Sequence, residues 1–152
     1  MAKGDVLFYH GDNDLQSRII RRWTNGPYSH VEIDIGDGLA IGAWTTGINK
    51  HPLVSPTLLI QTSLKMENIR LEAALIWLNR QVGEKYGWVD NLNSGLQKFL
   101  PNGPFLQIGH QYNCSDLATR FLWIAGYPLD GDFLDSDTVN PSELAKALLN
   151  GS

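Results

Sequence analysis

The stretch "HVEIDIGDGLAIGAW", residues 30–44, decides the fold. Val31, Ile33 and Ile35 alternate with Glu32 and Asp34, which is the period-two pattern of a strand with one buried face. "GDG" at 36–38 has the composition of a tight hairpin turn, and "LAIGAW" predicts the returning strand. The stretch therefore predicts an antiparallel β-hairpin.

The rest of the chain adds strands before and after this hairpin and then mostly helices. "DVLFYH" at 5–10 and "PTLLIQTS" at 56–63 predict two more strands. Helical spacing or terminal signals predict helices over 14–23, 66–83, part of 90–104, 113–126 and 140–150. This order predicts an α+β fold in which helices pack on an antiparallel sheet.

Three of these helices carry local signals that fix their position. In "MENIRLEAALIWLNRQVG" the apolar face is predicted to hold Ile69, Ala73, Ile76, Trp77 and Val82, with the end at Gly83. Asn113, three residues before Asp116, predicts an N-cap, and Gly126 before Pro128 predicts the end of that helix. Asn140, Pro141 and Glu143 repeat the start signal in "NPSELAKALLNG".

Length and composition indicate one folded domain over residues 1–152. The chain is 43% hydrophobic and 18% charged, as in an ordinary globular protein. A formal net charge of −4 argues against a nucleic-acid partner, and the basic cluster Arg18, Arg21 and Arg22 is interpreted as one face of a helix. The oligomeric state is left open.

Targeting and metal-binding signals are missing from the sequence. No stretch approaches the roughly 20 apolar residues of a membrane span, so no integral membrane segment is expected. The first residues, "MAKGDVLFYHGDND", lack the apolar run of a signal peptide, so we expect a protein that is cytoplasmic as synthesised. A single cysteine excludes an internal disulfide framework, and without His-x-x-x-His spacing we expect no metal and no cofactor.

That cysteine, Cys114, is placed at the predicted start of a helix. Unsatisfied backbone N–H groups and the helix dipole favour a thiolate there, and the same N–H groups can stabilise an oxyanion. The alternative is a buried structural thiol, since cysteine is among the most buried residue types. A nucleophilic thiol also needs a base. His30, at the start of a strand, is the first candidate and His110 the second, whereas His10 lies between a strand and "GDND" and His51 precedes a proline in a predicted loop.

The segments "GDVLFYH", "YSHVEIDIGDG", "GEKYGWVDNL", "NCSDLATRFLWIAGYPL" and "VNPSELAKAL" resemble, in this order, a known family. It is the circularly permuted branch of the NlpC-type papain-like cysteine peptidases, which is related to lecithin:retinol acyltransferase. In that branch the histidine strand precedes the nucleophile helix, as His30 precedes Cys114 here. The resemblance implies a small, curved antiparallel sheet packed by helices. It further implies Cys114 as nucleophile and His30 as general base and acid.

One position departs from the family pattern. The residue that orients the histidine ring usually lies twelve positions after it, and that position is Gly42 here. Thr45, Thr46, Glu32 or a main-chain carbonyl are the substitutes, and Thr45 or a main-chain acceptor is preferred because Glu32 lies two residues along the same strand. Tyr28 is a candidate for closing the site or donating to the oxyanion; the alternative is that it packs in the turn. Trp44 and His110 are candidate substrate contacts.

Three functions follow as expectations. The first is a cysteine hydrolase, a thiol protease or amidohydrolase that cleaves an amide in a bacterial cell-wall (peptidoglycan) peptide, reached through cell lysis or in a phage particle. The second is an acyltransferase or thioesterase acting on lipid-like substrates, for which Leu53, Val54 and residues 58–60 are candidate channel residues. The third is a non-catalytic member that binds a peptide, for which Gly42 is the main support.

Overall fold

The computed structural model describes residues 1–10, 26–44, 46–62, 66–84, 113–129 and 139–150. Within them the protein is α+β, with a five-stranded open antiparallel sheet and three helices, which confirms the predicted class. The strands are β1 (Val6–Tyr9), β2 (His30–Gly36), β3 (Leu39–Trp44), β4 (Gly47–Pro52) and β5 (Leu58–Ile60), and the helices are α1 (Asn68–Arg80), α2 (Cys114–Ile124) and α3 (Pro141–Asn150). The helices predicted over 14–23 and within 90–104 lie outside the described residues.

The β2–β3 hairpin forms as the sequence predicts, and β2 is the central strand of the order β4-β3-β2-β1-β5. Glu32 pairs with Gly42 and Ile33 with Ile41 across the hairpin. The turn residues Asp37 and Gly38 have φ values of 55° and 71°. This left-handed conformation is the reason for a glycine-rich turn, because it costs a residue without a Cβ little.

β4 is the strand that the sequence analysis missed. Residues 47–52 pair along the whole of β3, with Ile48 opposite Ala43 and His51 opposite Ala40. The segment "GINKHP" holds only one strongly apolar side chain, so it carries no clear alternation. The backbone beyond α1 also covers this strand, because Ile48 N donates to Glu84 O and Gly83 N donates to Ile48 O, both at 2.8 Å. His51 thus lies on an edge strand and not in a loop.

The core lies between the sheet and the helices. α2 packs against β2, β3, α1 and α3. The largest side chains with less than 2% exposure include Phe8, Ile33, Ile41, Ile48, Leu78, Leu117, Phe121 and Leu144. Each side chain of this kind contributes about 1.5–3 kcal/mol by leaving water. This packing fixes the start of α2 beside the start of β2.

The buried face of α1 differs from the predicted one. Leu71, Ala74, Leu75 and Leu78 are buried, at the i, i+3, i+4, i+7 spacing of one helical face. Ile69 is 79% exposed and Ile76 55% exposed, although both were assigned to the core. The helix carries two apolar stripes, and packing against α2 selects the leucine stripe because it is continuous over two turns.

The other two helix starts follow the sequence. Asn113 caps α2, its side chain accepting a hydrogen bond from Asp116 N at 2.7 Å. Asn140 Oδ1 accepts from Glu143 N at 2.9 Å, and Asn140 N donates to Glu143 Oε2 at 3.3 Å, which is a capping box. Gly126 follows α2 with a φ of 76°, as its predicted role at the helix end requires. In the part of the chain that the structure describes, none of the helices has the length and apolar run that crossing a bilayer takes.

Candidate active site

Cys114 is the first residue of α2 and lies against the first residues of β2. Its side chain is buried, with 4% of the residue exposed. Burial alone raises the pKa of the Cys114 thiol, but a hydrogen bond from His30 and the positive charge of that ring outweigh burial and lower it. The backbone N–H of Val31 and the hydroxyl of Ser115 lower the thiol pKa further. The thiolate is therefore favoured at this position.

His30 contacts both the thiol and a carboxylate. Its Nε2 lies 3.0 Å from Glu32 Oε1, so Nδ1 is the ring nitrogen that remains for Cys114. Burial, the largest influence, lowers the pKa of His30, but hydrogen bonds and charge from Cys114 and Glu32 together raise it to about 9. At neutral pH the His30 ring is therefore protonated, and its charge favours the thiolate form of Cys114. The structure brings together the two residues that the sequence ranked first.

Glu32 faces Gly42, its partner across the β2–β3 hairpin. Its carboxylate lies over Gly42, and a Cβ at Gly42 would be 2.8 Å from Glu32 Cγ and 2.9 Å from Oε1. The missing side chain of Gly42 therefore makes room for Glu32. Burial raises the pKa of Glu32, but the hydrogen bond and charge of His30 and the charge of His51 outweigh it and lower the pKa. Glu32 is ionised and accepts from His30.

This corrects the preference for Thr45 or a main-chain carbonyl as the acceptor. Glu32 is near His30, but a side chain two positions along a strand is not ideally placed to orient the ring, which is why the sequence favours the other acceptors. The side chain of Glu32, which is fully buried, instead turns back along the strand and reaches Nε2 through the space over Gly42. Thr45 lies outside the described residues, and so does His110.

Two aromatic side chains flank the His30 ring. The Trp44 ring lies 4.1 Å from the His30 ring, centroid to centroid, and the tryptophan is 40% exposed. The Tyr9 ring lies 6.0 Å from His30 on the other side, and its hydroxyl donates to Val54 O at 3.3 Å. Burial and the nearby Glu32 carboxylate raise the pKa of Tyr9. Trp44 is thus a partly exposed apolar side chain beside the His30 ring, and the sequence names it as a candidate substrate contact.

Tyr28 is not positioned like the other aromatic residues. Its ring lies 5.5 Å from Phe8 and stacks on His10 at 5.4 Å. Its backbone N–H donates to Ser142 Oγ at 3.2 Å, which ties the turn to α3. These contacts favour the interpretation of Tyr28 as a turn residue that packs on the sheet over that of an oxyanion donor.

The sequence analysis missed His51 and Tyr9 as members of the site. His51 Nε2 lies 2.8 Å from the same Glu32 oxygen that His30 contacts. Both residues sit on strands that flank the histidine strand or its partner, and the pairings of His30 with Tyr9 and of Ala40 with His51 place them. Recognising β4 as a strand was the signal needed to find His51.

The side chains of the described ranges form no group of three or more His, Cys, Asp or Glu arranged to hold a metal ion. What they do form is a buried thiol whose pKa is lowered, a histidine that bonds it, and a carboxylate that bonds the histidine. This arrangement can attack an electrophilic carbon and then deliver a proton to the group that leaves. No protein-family model and no curated protein matches the sequence.

Proposed function

We propose that this protein is a cysteine hydrolase that cleaves an amide bond, with bacterial cell-wall peptides as its substrate class. The proposal includes a papain-like domain of the permuted NlpC type. The observation that carries the chemistry is the series of hydrogen bonds from Cys114, at the start of α2, to His30 and from His30 to Glu32. The substrate class rests on the resemblance of the sequence motifs and is the part that the experiment below addresses first.

In the first half of the reaction Cys114 becomes acylated. The thiolate attacks the amide carbon, the Sγ–C bond forms and the carbonyl oxygen takes the negative charge. Cys114 is the first residue of α2, where a backbone N–H has no intrahelical acceptor, and the Asn113 cap bonds Asp116 N; the Cys114 N–H is therefore assigned as the donor for this oxyanion. When the C–N bond breaks, the His30 imidazolium gives its proton to the leaving amine and becomes neutral.

In the second half water releases the acyl group. Neutral His30 takes a proton from water, whose oxygen attacks the thioester carbon. The C–Sγ bond then breaks, and Cys114 leaves as the thiolate beside the restored imidazolium. Throughout, Glu32 holds Nε2 and so keeps Nδ1 directed at the reacting atoms.

The geometry weakens the case for a non-catalytic binding protein. That case rested on Gly42, which lacks a side chain to orient the histidine. Because Glu32 bonds Nε2 at 3.0 Å, the ring has an orienting acceptor without one at position 42. Acyl transfer or thioester hydrolysis uses the same thiol and histidine, so it is distinguished by substrate and not by these residues.

The experiment compares substrates on one enzyme preparation. Purified cell-wall peptide fragments and acyl esters are incubated with the wild type, with Cys114→Ala and with His30→Ala, and the products are identified by mass spectrometry. We expect new amine and carboxylate ends from the peptides with the wild type alone. His10→Ala, which changes an exposed histidine that bonds Pro27 O, is the matched control and keeps full activity.

The other outcomes are equally decisive. Turnover of acyl esters without peptide cleavage would replace the proposed substrate class by the lipid-like one. If the wild type cleaves neither substrate, and Cys114 reacts with iodoacetamide only near the free-thiol pKa of about 8.5, the proposal of an enzyme is rejected. A binding protein is then the remaining function.

A further inference from the structure

We propose that His51 is a positioning residue that holds the Glu32 carboxylate against His30 and releases it when the His51 ring loses its proton. The inference rests on the proposed function, in which Glu32 orients the catalytic histidine. It assigns a role to a side chain that lies neither in the thiol–histidine pair nor in direct contact with it.

The first observation is that two imidazoles share one carboxylate oxygen. His30 Nε2 and His51 Nε2 lie 3.0 Å and 2.8 Å from Glu32 Oε1, the first from the same strand and the second from β4. The second oxygen, Oε2, is buried with no hydrogen-bond partner among the described residues. Glu32 Oε1 therefore carries the hydrogen bonds that fix the carboxylate, and His51 supplies the shorter of the two.

The second observation concerns the other ring nitrogen of His51. Nδ1 lies 2.9 Å from the carbonyl oxygen of Pro52. A carbonyl and an ionised carboxylate only accept hydrogen bonds, so the ring donates to both only when both nitrogens carry protons. The bond to Glu32 is then charge-assisted, which is the stronger class of hydrogen bond.

The third observation is that a second partner for Nε2 is already in place. The indole Nε1–H of Trp44 points at His51 Nε2 over 3.3 Å. An indole N–H only donates, so it bonds Nε2 when that nitrogen has a free lone pair. The protonated ring therefore bonds Glu32 and Pro52, whereas the neutral ring keeps Pro52 and accepts from Trp44.

The charged and titratable groups around His51 come from the neighbouring strands. β2 contributes Glu32 and, behind it, His30. Asp34 pairs with Ala40, the residue opposite His51, and its Oδ1 accepts from Gly36 N at 2.7 Å. β1 contributes the Tyr9 phenol beside Glu32. Glu32 is the only one of these whose oxygen contacts His51 within the described part of the chain.

The test measures the reactivity of Cys114, because this needs no substrate. Iodoacetamide alkylation is followed at pH 6 by intact mass in the wild type, His51→Ala, His51→Gln and the control His10→Ala. His51→Ala loses a charge-assisted donor, and we expect a rate about 10-fold lower. The amide of His51→Gln donates to Glu32 without titrating, so its rate stays within about 3-fold of wild type.

A second readout follows the exchange of partners itself. The indole N–H resonance of Trp44, identified by its loss in Trp44→Phe, is titrated by NMR in the wild type and in His51→Gln. We expect the wild type to show one inflection from His51 and another from His30, whose ring centroid lies 4.1 Å from that of Trp44. His51→Gln keeps only the His30 inflection.

The outcomes separate the two proposals. An unactivated wild-type thiol, reacting only in alkali, would reject the proposed function, and the Trp44 titration would still decide the role of His51. If the thiol is activated but its alkylation rate is unchanged or faster in His51→Ala, only the role of His51 is rejected. The same holds if the Trp44 inflection assigned to His51 persists unchanged in His51→Gln.

Discussion

Positions 32 and 42 are alternative sources of one acceptor, and this predicts how substitutions at the two sites combine. Gly42→Asn introduces a Cβ at 2.8 Å from Glu32 Cγ, so the carboxylate must leave His30. Glu32→Ala removes the acceptor directly. In the double variant the asparagine enters the space that Glu32 vacates, and its amide oxygen takes the position that the family pattern gives to residue 42.

The size of each loss follows from the hydrogen bond at stake. A hydrogen bond to a charged group contributes about 1.5–3 kcal/mol, which corresponds to a factor of roughly 10 to 150. We expect each single variant to lower the rate of Cys114 alkylation at pH 6 by that factor. Independent effects would multiply to at least about 100-fold. The double variant should instead be no slower than the slower single variant.

The assay counts one site, because the chain has a single cysteine. Alkylation rates are measured from pH 5 to 9, with the unfolding midpoint of every variant recorded beside them. Glu32→Ala combined with Gly42→Ala is the matched control, since alanine fills the same space without an amide and restores nothing. Losses that multiply in the asparagine double variant, or a Gly42→Asn protein that reacts like wild type, would refute the steric argument.

Four further predictions concern pH and stability. Amide hydrolysis falls as the pH rises through about 9, where His30 loses the proton that the leaving amine needs, whereas alkylation does not fall. The lowered pKa of Glu32 contributes stability that is present above its ordinary value of 4.5 and is lost as the pH falls below it. In Glu32→Gln the free energy of unfolding therefore decreases less steeply than in the wild type as the pH falls through this range. Asn113→Ala removes the cap of α2 and costs about 1 kcal/mol in denaturant unfolding. Leu78→Ala, at 0% exposure, costs about 2–5 kcal/mol, while Ile69→Ala, at 79% exposed, changes stability by less than about 0.5 kcal/mol.

Local patterns predicted the parts of the fold that local physics fixes. The alternation over 30–44 and the asparagine caps at 113 and 140 each depend on residues within a few positions of one another, and the structure has the hairpin and both helix starts. β4 was missed because its stability comes from pairing with β3 and from Gly83 and Glu84, and not from its own composition. The face of α1 was wrong because the choice between two apolar stripes is made by the helix packed against it.

The candidate site likewise contains residues that the local sequence predicts and residues that only strand pairing brings into place. Cys114 at a helix start and His30 at a strand start are positions that sequence marks directly. The role of Glu32 depends on a space that exists only because Gly42 lies opposite it across the hairpin. The position of His51 depends in turn on the register of β4 against β3. Both are long-range consequences of strand pairing, which no local spacing expresses.

The way in which β4 ends the sheet also limits how a partner can approach. An extended peptide can bind a protein by adding a strand to an exposed sheet edge. On β4 the outward groups of Ile48 already bond Gly83 and Glu84, and Pro52, four positions on, has no N–H. Lys50 lies between them, and lysine on an edge discourages strand addition. Strand addition at β4 is therefore disfavoured, both for an extended peptide and for the same edge of a second molecule.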